Sequence, residues 1–401
     1  MIRFAAAILA LTLLSGACSD DTATPATTVA PTTTAPTPTT APATTTTAPT
    51  TTTATTVASE KLDISACRPP ELTFSGVGLG WPRPPDRLPS MGRVDIAVLL
   101  ADFVAVAARR STEEAFALVS PGAEEWFETV SYGRMDLNLH LHPVWLRMSQ
   151  PSPFYSDAIT THEGHRAWIE EAVALADPDF DFSEMEAVLV LATPRAEHIA
   201  YGPTWIGRAT DPIVADGAII TNGVTSGADL TFWGDLWLPH ELGHSMVLPD
   251  LYSFEGATGF TRPFSLMDDI GSTAPEYFAY ERWVLGWLDD SQVVCTEGPT
   301  EVLLSPVELP DGVKAVMVPV GGSRLVVVES RRAVGYDFAL EREGVVVYVV
   351  DTSIPTGEGP IQVVNPERVA MAEGKSLAVE GVTVTVTESG AAGDRVVVET
   401  G

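Results

Sequence analysis

The sequence predicts a mixed α/β (α+β) fold that ends in an all-β, sandwich-like region, and three observations support this expectation. Over residues 62–290, apolar runs typical of buried strands alternate with helically spaced segments. Over residues 291–401, short β-branched runs such as "RLVVVESRR" and "GVVVYVVD" are separated by Gly, Pro and Asp. Residues 18–61 are instead rich in Thr, Ala and Pro and cannot bury a core, so they predict a disordered stalk.

The N-terminus predicts export. Arg3 precedes the apolar run "FAAAILALTLL" (4–14), which is too short to span a bilayer. The run leads through "LSGAC" into Cys18, and this pattern resembles a bacterial lipobox. Residues 1–17 are therefore predicted to be a lipoprotein signal peptide, and lipid on Cys18 would anchor the chain to the outer side of the cell membrane. A plain secretory signal, giving a secreted protein, is the alternative.

The charge balance bears on partners. The chain carries 53 acidic and 23 basic residues, for a formal net charge of -30. A surface so negative repels nucleic acid, so a role in binding DNA or RNA is not expected.

Five segments define the elements expected in the body. Residues 93–103 and 185–194 are apolar runs that predict buried strands, and residues 131–148 alternate between apolar and polar side chains like a half-exposed strand. Helical spacing predicts helices over 165–176 and 236–247.

The predicted export also helps to interpret the cysteines, because exported proteins fold in an oxidising compartment. With Cys18 lipidated, Cys67 and Cys295 form an even pair in an oxidising compartment, which predicts a disulfide. Two unpaired thiols are one alternative, and a Cys67 thiolate that caps a metal in a latent form is another.

The segment "HELGH" (240–244) is the strongest chemical signal. His240 and His244 stand four residues apart, so a helix places both imidazoles on one face, where they can bind one Zn²⁺. Glu241 beside them can act as general base. The alternative is a solvated helix face without a metal.

The longer segment "HELGHSMVLPDLY" (240–252) resembles the zinc motif of the immune inhibitor A family of secreted bacterial metallopeptidases, which is metzincin-like. Other stretches resemble the same family in the same order, including "WFETVSYGRMDLNL", "AYERWVLGWL" and "VVVESRRAVGYDFALEREGVVVYVVD". The resemblance covers roughly residues 90–355. It implies a metallopeptidase catalytic domain with a zinc-binding helix over 62–290, and a C-terminal β domain over 291–401.

The resemblance also implies roles for individual residues. His240, His244 and Asp250 would be zinc ligands and Glu241 the general base, acting on a protein or peptide substrate. Met267 in "SLMDD" would form an apolar floor below the metal.

The third ligand is where this sequence departs from the family pattern. The family has Gly at the position of Val247, and positive φ is costly for Val. Pro249 still ends the helix, so Asp250 can arrive by another turn. Glu276 and Glu281 on a downstream helix remain alternative ligands.

Several further residues carry weaker expectations. Tyr277 and Tyr280 are candidate donors to a transition-state oxyanion, although packing is the simpler interpretation of both. Strand 131–148 is a candidate edge for an extended substrate, and its His140 and His142 are expected to be polar surface.

The acidic segment "DPDFDFSE" (177–184) predicts a helix-to-strand turn. Its oxygens suit Ca²⁺, which remains an alternative, but it lacks the spacing and Gly of an EF-hand loop.

The sequence therefore predicts an extracellular zinc-dependent endopeptidase. The alternatives are an inactive protease-like module for surface binding or adhesion, and a zinc hydrolase of cell-wall peptides. 

Overall fold

The structure is a computed structural model that describes residues 62–73, 76–256 and 259–401. The predicted signal peptide, Cys18 and the predicted stalk lie outside the described residues. Among the described residues, no helix has both the length and the apolar character needed to cross a membrane.

The helices are short and all precede residue 290. They are α1 (Thr112–Phe116), α2 (Gly122–Val130), α3 (Ser152–Ala158), α4 (His162–Ala176), α5 (Asp229–Trp233), α6 (Trp237–Met246) and α7 (Ala279–Val284). Single turns of 3₁₀-helix cover Ile64–Cys67, Gly234–Leu236, Asp290–Gln292, Gly335–Asp337 and Pro366–Arg368.

Strands run through the whole described chain. The first seven are β1 (Gly92–Phe103), β2 (Met135–Met148), β3 (Ala187–Ala192), β4 (Thr204–Ile206), β5 (Ile213–Ala215), β6 (Ala218–Ile220) and β7 (Asn222–Thr225). The others are β8 (Val293–Cys295), β9 (Thr300–Leu304), β10 (Ala315–Pro319), β11 (Arg324–Arg331), β12 (Gly344–Asp351), β13 (Ile361–Val363), β14 (Ser376–Val379), β15 (Val382–Gly390) and β16 (Gly393–Thr400).

The first sheet is the scaffold of the N-terminal half. Its strand order is β2-β1-β3-β7-β4, with β4 antiparallel to β7 and the other neighbours parallel. Strand β1 is buried on both faces, as expected of a central parallel strand. Val94, Ile96, Val98 and Leu100 enter one apolar cluster, and the intervening Ala97, Leu99 and Ala101 enter a second cluster. The sheet is therefore covered on both faces.

Helices supply the two covers. Trp126 and Phe127 of α2 and Leu238 and Leu242 of α6 pack in the first cluster. In the second cluster, α4 contributes side chains at helical spacing, namely Trp168, Ile169, Ala172, Val173 and Ala176. Helix α4 begins where the Thr161 hydroxyl accepts a hydrogen bond from the Gly164 N–H.

The C-terminal region consists of two sheets, with strand orders β13-β12-β11-β10-β8 and β14-β15-β16-β9. Valines from both sheets meet in a third apolar cluster, which includes Val326, Val347, Val384 and Val396. The prediction of a mixed α/β chain with a sheet-rich C-terminal region is confirmed.

The first apolar cluster continues past residue 290. Val327 of β11 and Tyr348 of β12 belong to the same cluster as Leu242 of α6. The C-terminal sheets thus share a core with the helix that carries the histidine motif. The boundary between residues 290 and 291 stays a prediction.

Most predicted elements are present with shifted ends. The strands expected at 93–103 and 185–194 are β1 and β3, and the helices expected at 165–176 and 236–247 are α4 and α6. The segment 177–184 lies in the connection between α4 and β3, as expected for a turn.

Two details of strand 131–148 were predicted wrongly. The strand begins at Met135 because Tyr132 and Gly133 have positive φ and form a turn. His142 is buried rather than exposed. The pairing of β2 with β1 shifts register after Leu141, at a bulge that contains Pro143, and alternation is lost there.

The predicted disulfide between Cys67 and Cys295 is confirmed. It joins the 3₁₀ turn Ile64–Cys67 to strand β8, and the N–H of Leu62 donates to the carbonyl of Cys295 beside it. The segment before β1 is therefore fixed to the start of the C-terminal sheets.

The disulfide closes a loop with a sequence separation of 228 residues, so its removal should destabilise the fold. We expect the double variant Cys67→Ser/Cys295→Ser to lose about 2–5 kcal/mol of unfolding free energy. Urea denaturation of wild type and variant under non-reducing conditions measures this, with reduced wild type as control. Equal midpoints for all three samples would contradict the expectation.

Candidate metal centre and its cleft

Helix α6 carries the histidine motif on one side and core residues on the other. Leu238, Leu242 and Met246, spaced four apart, are buried in the first apolar cluster. His240 and His244 are also four apart, on another face of the helix.

The helix ends in a turn that normally requires Gly. The N–H of Leu248 donates to the carbonyl of Gly243, and the N–H of Val247 donates to the carbonyl of His244. This is the Schellman pattern, and Val247 occupies its left-handed position with φ +135°. The chain bends where the family pattern has Gly, although Val stands there.

The bend brings a carboxylate to the two imidazoles. Asp250 Oδ1 lies 3.2 Å from His244 Nε2 and 3.5 Å from His240 Nε2. These three residues form the one group of three or more His, Cys, Asp or Glu ligand atoms in the described ranges that could hold a metal ion. The structure therefore brings together the three predicted ligands.

Backbone carbonyls orient both imidazoles. His240 Nδ1 lies 2.9 Å from the carbonyl oxygen of Leu266, and His244 Nδ1 lies 2.7 Å from that of Leu248. Since a carbonyl only accepts, each Nδ1 carries the hydrogen, and in the neutral imidazole each Nε2 keeps a lone pair. Both lone pairs face the Asp250 carboxylate.

The second half of the chain holds Asp250. The Asp250 N–H donates to Thr356 Oγ1 at 2.9 Å, and Thr356 Oγ1 donates to Asp250 Oδ2 at 3.2 Å. The N–H of Gly357 donates to the Asp250 carbonyl. Asp250 Oδ1 is buried and has no hydrogen bond of its own within the described part of the chain.

The charges that face each other in this group shift the pKa values of His244 and Asp250 in opposite directions. Burial opposes the charged form of His244, but the facing Asp250 carboxylate outweighs it and raises the pKa of His244 to about 9. Burial likewise acts to raise the pKa of Asp250, yet the two histidines hold it well below its usual range. A metal ion bound between these groups requires the neutral imidazole, so it would displace the proton that the raised pKa of His244 favours.

The donor set fits zinc. Tetrahedral zinc with ligands at about 2.0–2.1 Å places neighbouring donor atoms about 3.3 Å apart. Two of the three donor separations, 3.2 and 3.5 Å between the Asp250 oxygen and the imidazole nitrogens, are close to this value, and all three donor atoms lie within 4.8 Å of one another. Two imidazoles and one carboxylate are also a common catalytic zinc set, and they leave a fourth position open.

Glu241 lies in the same cleft, which has a volume of about 590 Å³ and is also lined by His240, His244 and Asp250. Thr204 Oγ1 lies 2.9 Å from Glu241 Oε2 and 2.7 Å from the Glu241 carbonyl oxygen, so strand β4 holds the carboxylate in place. Burial raises the pKa of the Glu241 carboxyl, which strengthens it as a proton acceptor.

The two alternative ligands are engaged elsewhere. Glu276 Oε2 pairs with Arg282 at 2.5 Å, and Glu276 Oε1 accepts from the N–H of Tyr336. Glu281 Oε2 accepts from the hydroxyl of Ser265 and from a backbone N–H. Neither carboxylate joins the cluster of His240, His244 and Asp250 among the described residues.

Met267 lies against the histidine helix at Gly243, and its place below a metal stays a prediction. A Cβ added to Gly243 would lie 2.8 Å from Met267 Sδ and 2.6 Å from the hydroxyl oxygen of Tyr277. The Tyr277 hydroxyl donates to the carbonyl of Pro239 at 2.8 Å. The absence of a side chain at Gly243 therefore permits this close approach.

Tyr277 and Tyr280 are core residues and do not line the cleft. Both are fully buried, and the Tyr280 hydroxyl donates to the carbonyl of Leu79. Nothing in the sequence indicated that a different tyrosine, Tyr252, lines the cleft. It lines the cleft, and its ring stacks on the His240 ring at 6.5 Å between centroids and 27° between planes.

The strand beside the histidine helix is β4 rather than the expected strand 131–148. Strand β2 lies at the opposite edge of the sheet, with β1, β3 and β7 between it and β4. The expectation that β2 forms the edge next to the histidines is therefore wrong.

The structure also shows the surroundings of His140, His142 and the acidic segment 177–184. His140 Nε2 lies 2.6 Å from Asp95 Oδ1, and His142 Nδ1 lies 2.8 Å from the Val144 carbonyl oxygen. The acidic segment 177–184 contributes no cluster of three ligand atoms within the described ranges.

Two supporting residues carried no recognisable signal in the sequence. Thr204 is 37 residues from Glu241, and Thr356 is 106 residues from Asp250. A lone Thr in a loop or short strand has no spacing pattern that could connect it to a distant site.

A scan of the sequence against protein-family models finds no match, and a search of curated proteins finds none either. 

The packing around Gly243 reverses the usual effect of a Gly→Ala change. Ala ordinarily favours a helix over Gly by about 1 kcal/mol, but here its Cβ meets Tyr277 and Met267. We expect Gly243→Ala to lower the unfolding free energy by about 1–3 kcal/mol, measured by urea denaturation.

The control repeats the change in a Tyr277→Phe background, which removes the nearer oxygen. The loss caused by Gly243→Ala should be smaller there, because the two sites are coupled. If Gly243→Ala stabilised the otherwise unchanged protein, the close approach would be disproved.

Proposed function

We propose that this chain is a zinc-dependent endopeptidase related to the immune inhibitor A family. One observation carries the proposal: His240 Nε2, His244 Nε2 and Asp250 Oδ1 converge in a cleft that also holds the Glu241 carboxylate. Under this proposal the first part of the body, residues 62–290, is a metallopeptidase catalytic domain. Residues 291–401 form a sandwich-like β domain that supports it.

Each residue of the site has a role in the proposal. His240, His244 and Asp250 hold zinc, and the orientation of the imidazoles by backbone carbonyls supports this assignment. The chemistry that zinc supplies when bound is polarisation of the scissile carbonyl and a lowered pKa of the attacking water. Glu241 accepts the proton of that water and passes it to the leaving amine. Thr204 holds the Glu241 carboxylate in position.

Strand β4 offers a way to bind an extended peptide. It is the terminal strand of its sheet, and its residues Thr204 and Ile206 border the cleft. A peptide paired to this edge would pass next to Glu241, since the Thr204 hydroxyl contacts that carboxylate. A protein or peptide is therefore the proposed substrate.

The proposal places the enzyme outside the cell. It is exported, and lipid on Cys18 anchors it to the outer side of the cell membrane unless the signal is an ordinary secretory one. The disulfide between Cys67 and Cys295 supports an oxidising compartment.

Zinc content is the first test. We expect about one zinc per chain in the purified wild type. Asp250→Ala should weaken zinc binding by more than about 100-fold, because losing even an outer-shell partner costs about 10–100-fold. Mass spectrometry of bound metal and competition with a chelator measure both quantities.

Asp269→Ala is the matched control, because Asp269 lines the same cleft but pairs with Arg262 outside the cluster. It should keep its zinc. No zinc in the wild type after metal reconstitution would disprove the metal site. Loss in Glu276→Gln but not in Asp250→Ala would move the third ligand to Glu276.

Peptidase activity is the second test. Glu241→Gln should lower kcat/KM on fluorescently labelled casein by about 10²–10⁴-fold, because general base catalysis is lost. Its zinc content should equal that of the wild type. A zinc-loaded wild type that cleaves neither casein nor cell-wall peptides would contradict the enzyme and leave a binding module. Cleavage of cell-wall peptides alone would indicate the more specialised hydrolase.

A further inference from the structure

Three arginines line one groove between the segment before β1 and the residues around α7. Arg68, Arg83 and Arg87 share this groove, which has a volume of about 500 Å³, with a single described carboxylate, that of Asp290. The whole chain carries 23 basic and 53 acidic residues, so a groove in which basic side chains predominate is a local exception. None of the described residues that line it also lines the cleft of the candidate metal centre.

The charge of Arg68 is already compensated. Its Nη2 pairs with Asp290 Oδ1 at 2.5 Å, and its Cζ lies 4.7 Å from the centroid of the Trp81 ring and 5.0 Å from that of Trp283. Asp290 Oδ1 also accepts a hydrogen bond from Trp283 Nε1 at 3.0 Å. The carboxylate in the groove is therefore engaged by Arg68 and Trp283.

Arg83 is a half-buried charge that forms no ion pair within the described part of the chain. Its Nη1 donates to the Ser90 hydroxyl and its Nη2 donates to the Leu88 carbonyl at 2.7 Å, and both acceptors are neutral. Burial lowers the pKa of Arg83, and the positive charge of Arg87 lowers it further. Because buried charges are normally paired, an anion in the groove would complete the surroundings of Arg83.

Arg87 carries a second charge that is only partly compensated. It is 8 % exposed, and its Nη2 lies 3.0 Å from Asp86 Oδ1. Its Nε and Nη1 have no hydrogen-bond partner within the described ranges. Burial lowers the pKa of Arg87 despite Asp86, and the charge of Arg208 lowers it further. Asp86 and Asp290 thus compensate two of the three arginines, which leaves a surplus of one positive charge in the groove.

The rest of the groove is apolar. Apart from the four charged side chains, its described lining residues are apolar or Gly, and the largest are Trp81, Trp283 and Met91. Met91 is 53 % exposed, so part of this apolar surface is open to solvent. Small-molecule sites usually have volumes of about 300–1,000 Å³. The groove therefore suits a small ligand with an apolar body and one negative group.

The segment that carries Arg83 and Arg87 is fixed at two points to the end of helix α6. The N–H of Gly78 donates to the Val247 carbonyl at 2.8 Å, and the N–H of Leu88 donates to the Ser245 carbonyl at 2.9 Å. The arginines are therefore held in place without a ligand. A site formed in advance loses less binding free energy to ordering.

We propose that this groove binds a monoanionic carboxylate carried on an apolar molecule, with Arg83 and Arg87 as the charged contacts and Trp81 as an apolar wall. Carboxylates form charge-assisted hydrogen bonds with guanidinium groups. One negative charge matches the surplus of one positive charge, whereas the net charge of -30 repels a phosphate dianion more strongly. The site is separate from the metal centre and does not depend on the endopeptidase function proposed above.

Isothermal titration calorimetry of the full chain with three small ligands tests the proposal on the wild type alone. Phenylacetamide keeps the apolar body of phenylacetate without its charge, and acetate keeps the charge without the body. We expect phenylacetate to bind at least about 10-fold more tightly than either, because it alone makes both kinds of contact. Equal affinity for phenylacetate and either analogue, or no binding of phenylacetate, would overturn the proposal. Tighter binding of phenyl phosphate would overturn the assignment to a carboxylate.

A pair of variants assigns the binding to the groove. Arg83→Gln should weaken the binding of phenylacetate by about 10- to 100-fold, because a charge-assisted hydrogen bond is lost. Arg109→Gln is the matched control, since it removes the same charge from an exposed residue that does not line the groove. Circular dichroism checks that both variants are folded. Full affinity in folded Arg83→Gln, or an equal loss in Arg109→Gln, would contradict the site.

Zinc bound at the candidate metal centre would compete for a carboxylate, so the titration is repeated after treatment with a chelator. The affinity for phenylacetate should not change, because groove and cleft share no described lining residue. Binding that disappears with the metal would assign the carboxylate to the cleft and overturn the proposal. Unchanged binding would support the groove even if the wild type holds no zinc and cleaves no peptide.

Discussion

The end of helix α6 is the constraint on which the candidate site depends. If the helix continued past Met246, Asp250 would leave on another face and could not meet both histidines. The bend places Val247 at φ +135°, a conformation that costs a residue other than Gly about 1–3 kcal/mol. Surrounding contacts offset this cost: the Val247 side chain is buried, and its carbonyl accepts from the N–H of Gly78 at 2.8 Å. The segment before β1, fixed by the disulfide, therefore helps to hold the turn.

The same turn orients one imidazole directly. The Leu248 carbonyl, released from the helix by the bend, accepts from His244 Nδ1, while the Leu266 carbonyl does so for His240. Asp250 is then fixed from the other half of the chain by Thr356. The turn at Val247 thus ends the helix, orients the His244 imidazole and places the Asp250 carboxylate beside both histidines. The C-terminal sheets complete the arrangement from outside the helix.

The sequence could predict what local patterns determine. The four-residue spacing of His240 and His244, followed by Pro249, was enough to place α6 and the point where it ends. It could not predict contacts made between distant segments. The support of Glu241 by Thr204 and the choice of β4 as the edge beside α6 depend on sheet order, which no local periodicity encodes. The burial of His142 likewise follows from a bulge in the pairing of two strands.

Glu276 has the side chain of a zinc ligand, but its position in the fold makes it part of a buried ion pair. Its carboxylate has the chemistry of a zinc ligand, yet it lies in a buried pair with Arg282 and receives the N–H of Tyr336. A buried ion pair adds little net stability, because desolvation opposes the attraction between the charges. Its contribution is positional, because it pairs with Arg282 of α7 and accepts the N–H of Tyr336 from the segment after β11. Tyr336 packs against the apolar cluster that contains Leu242 of α6 and Tyr348 of β12, so this segment and the histidine helix share one core.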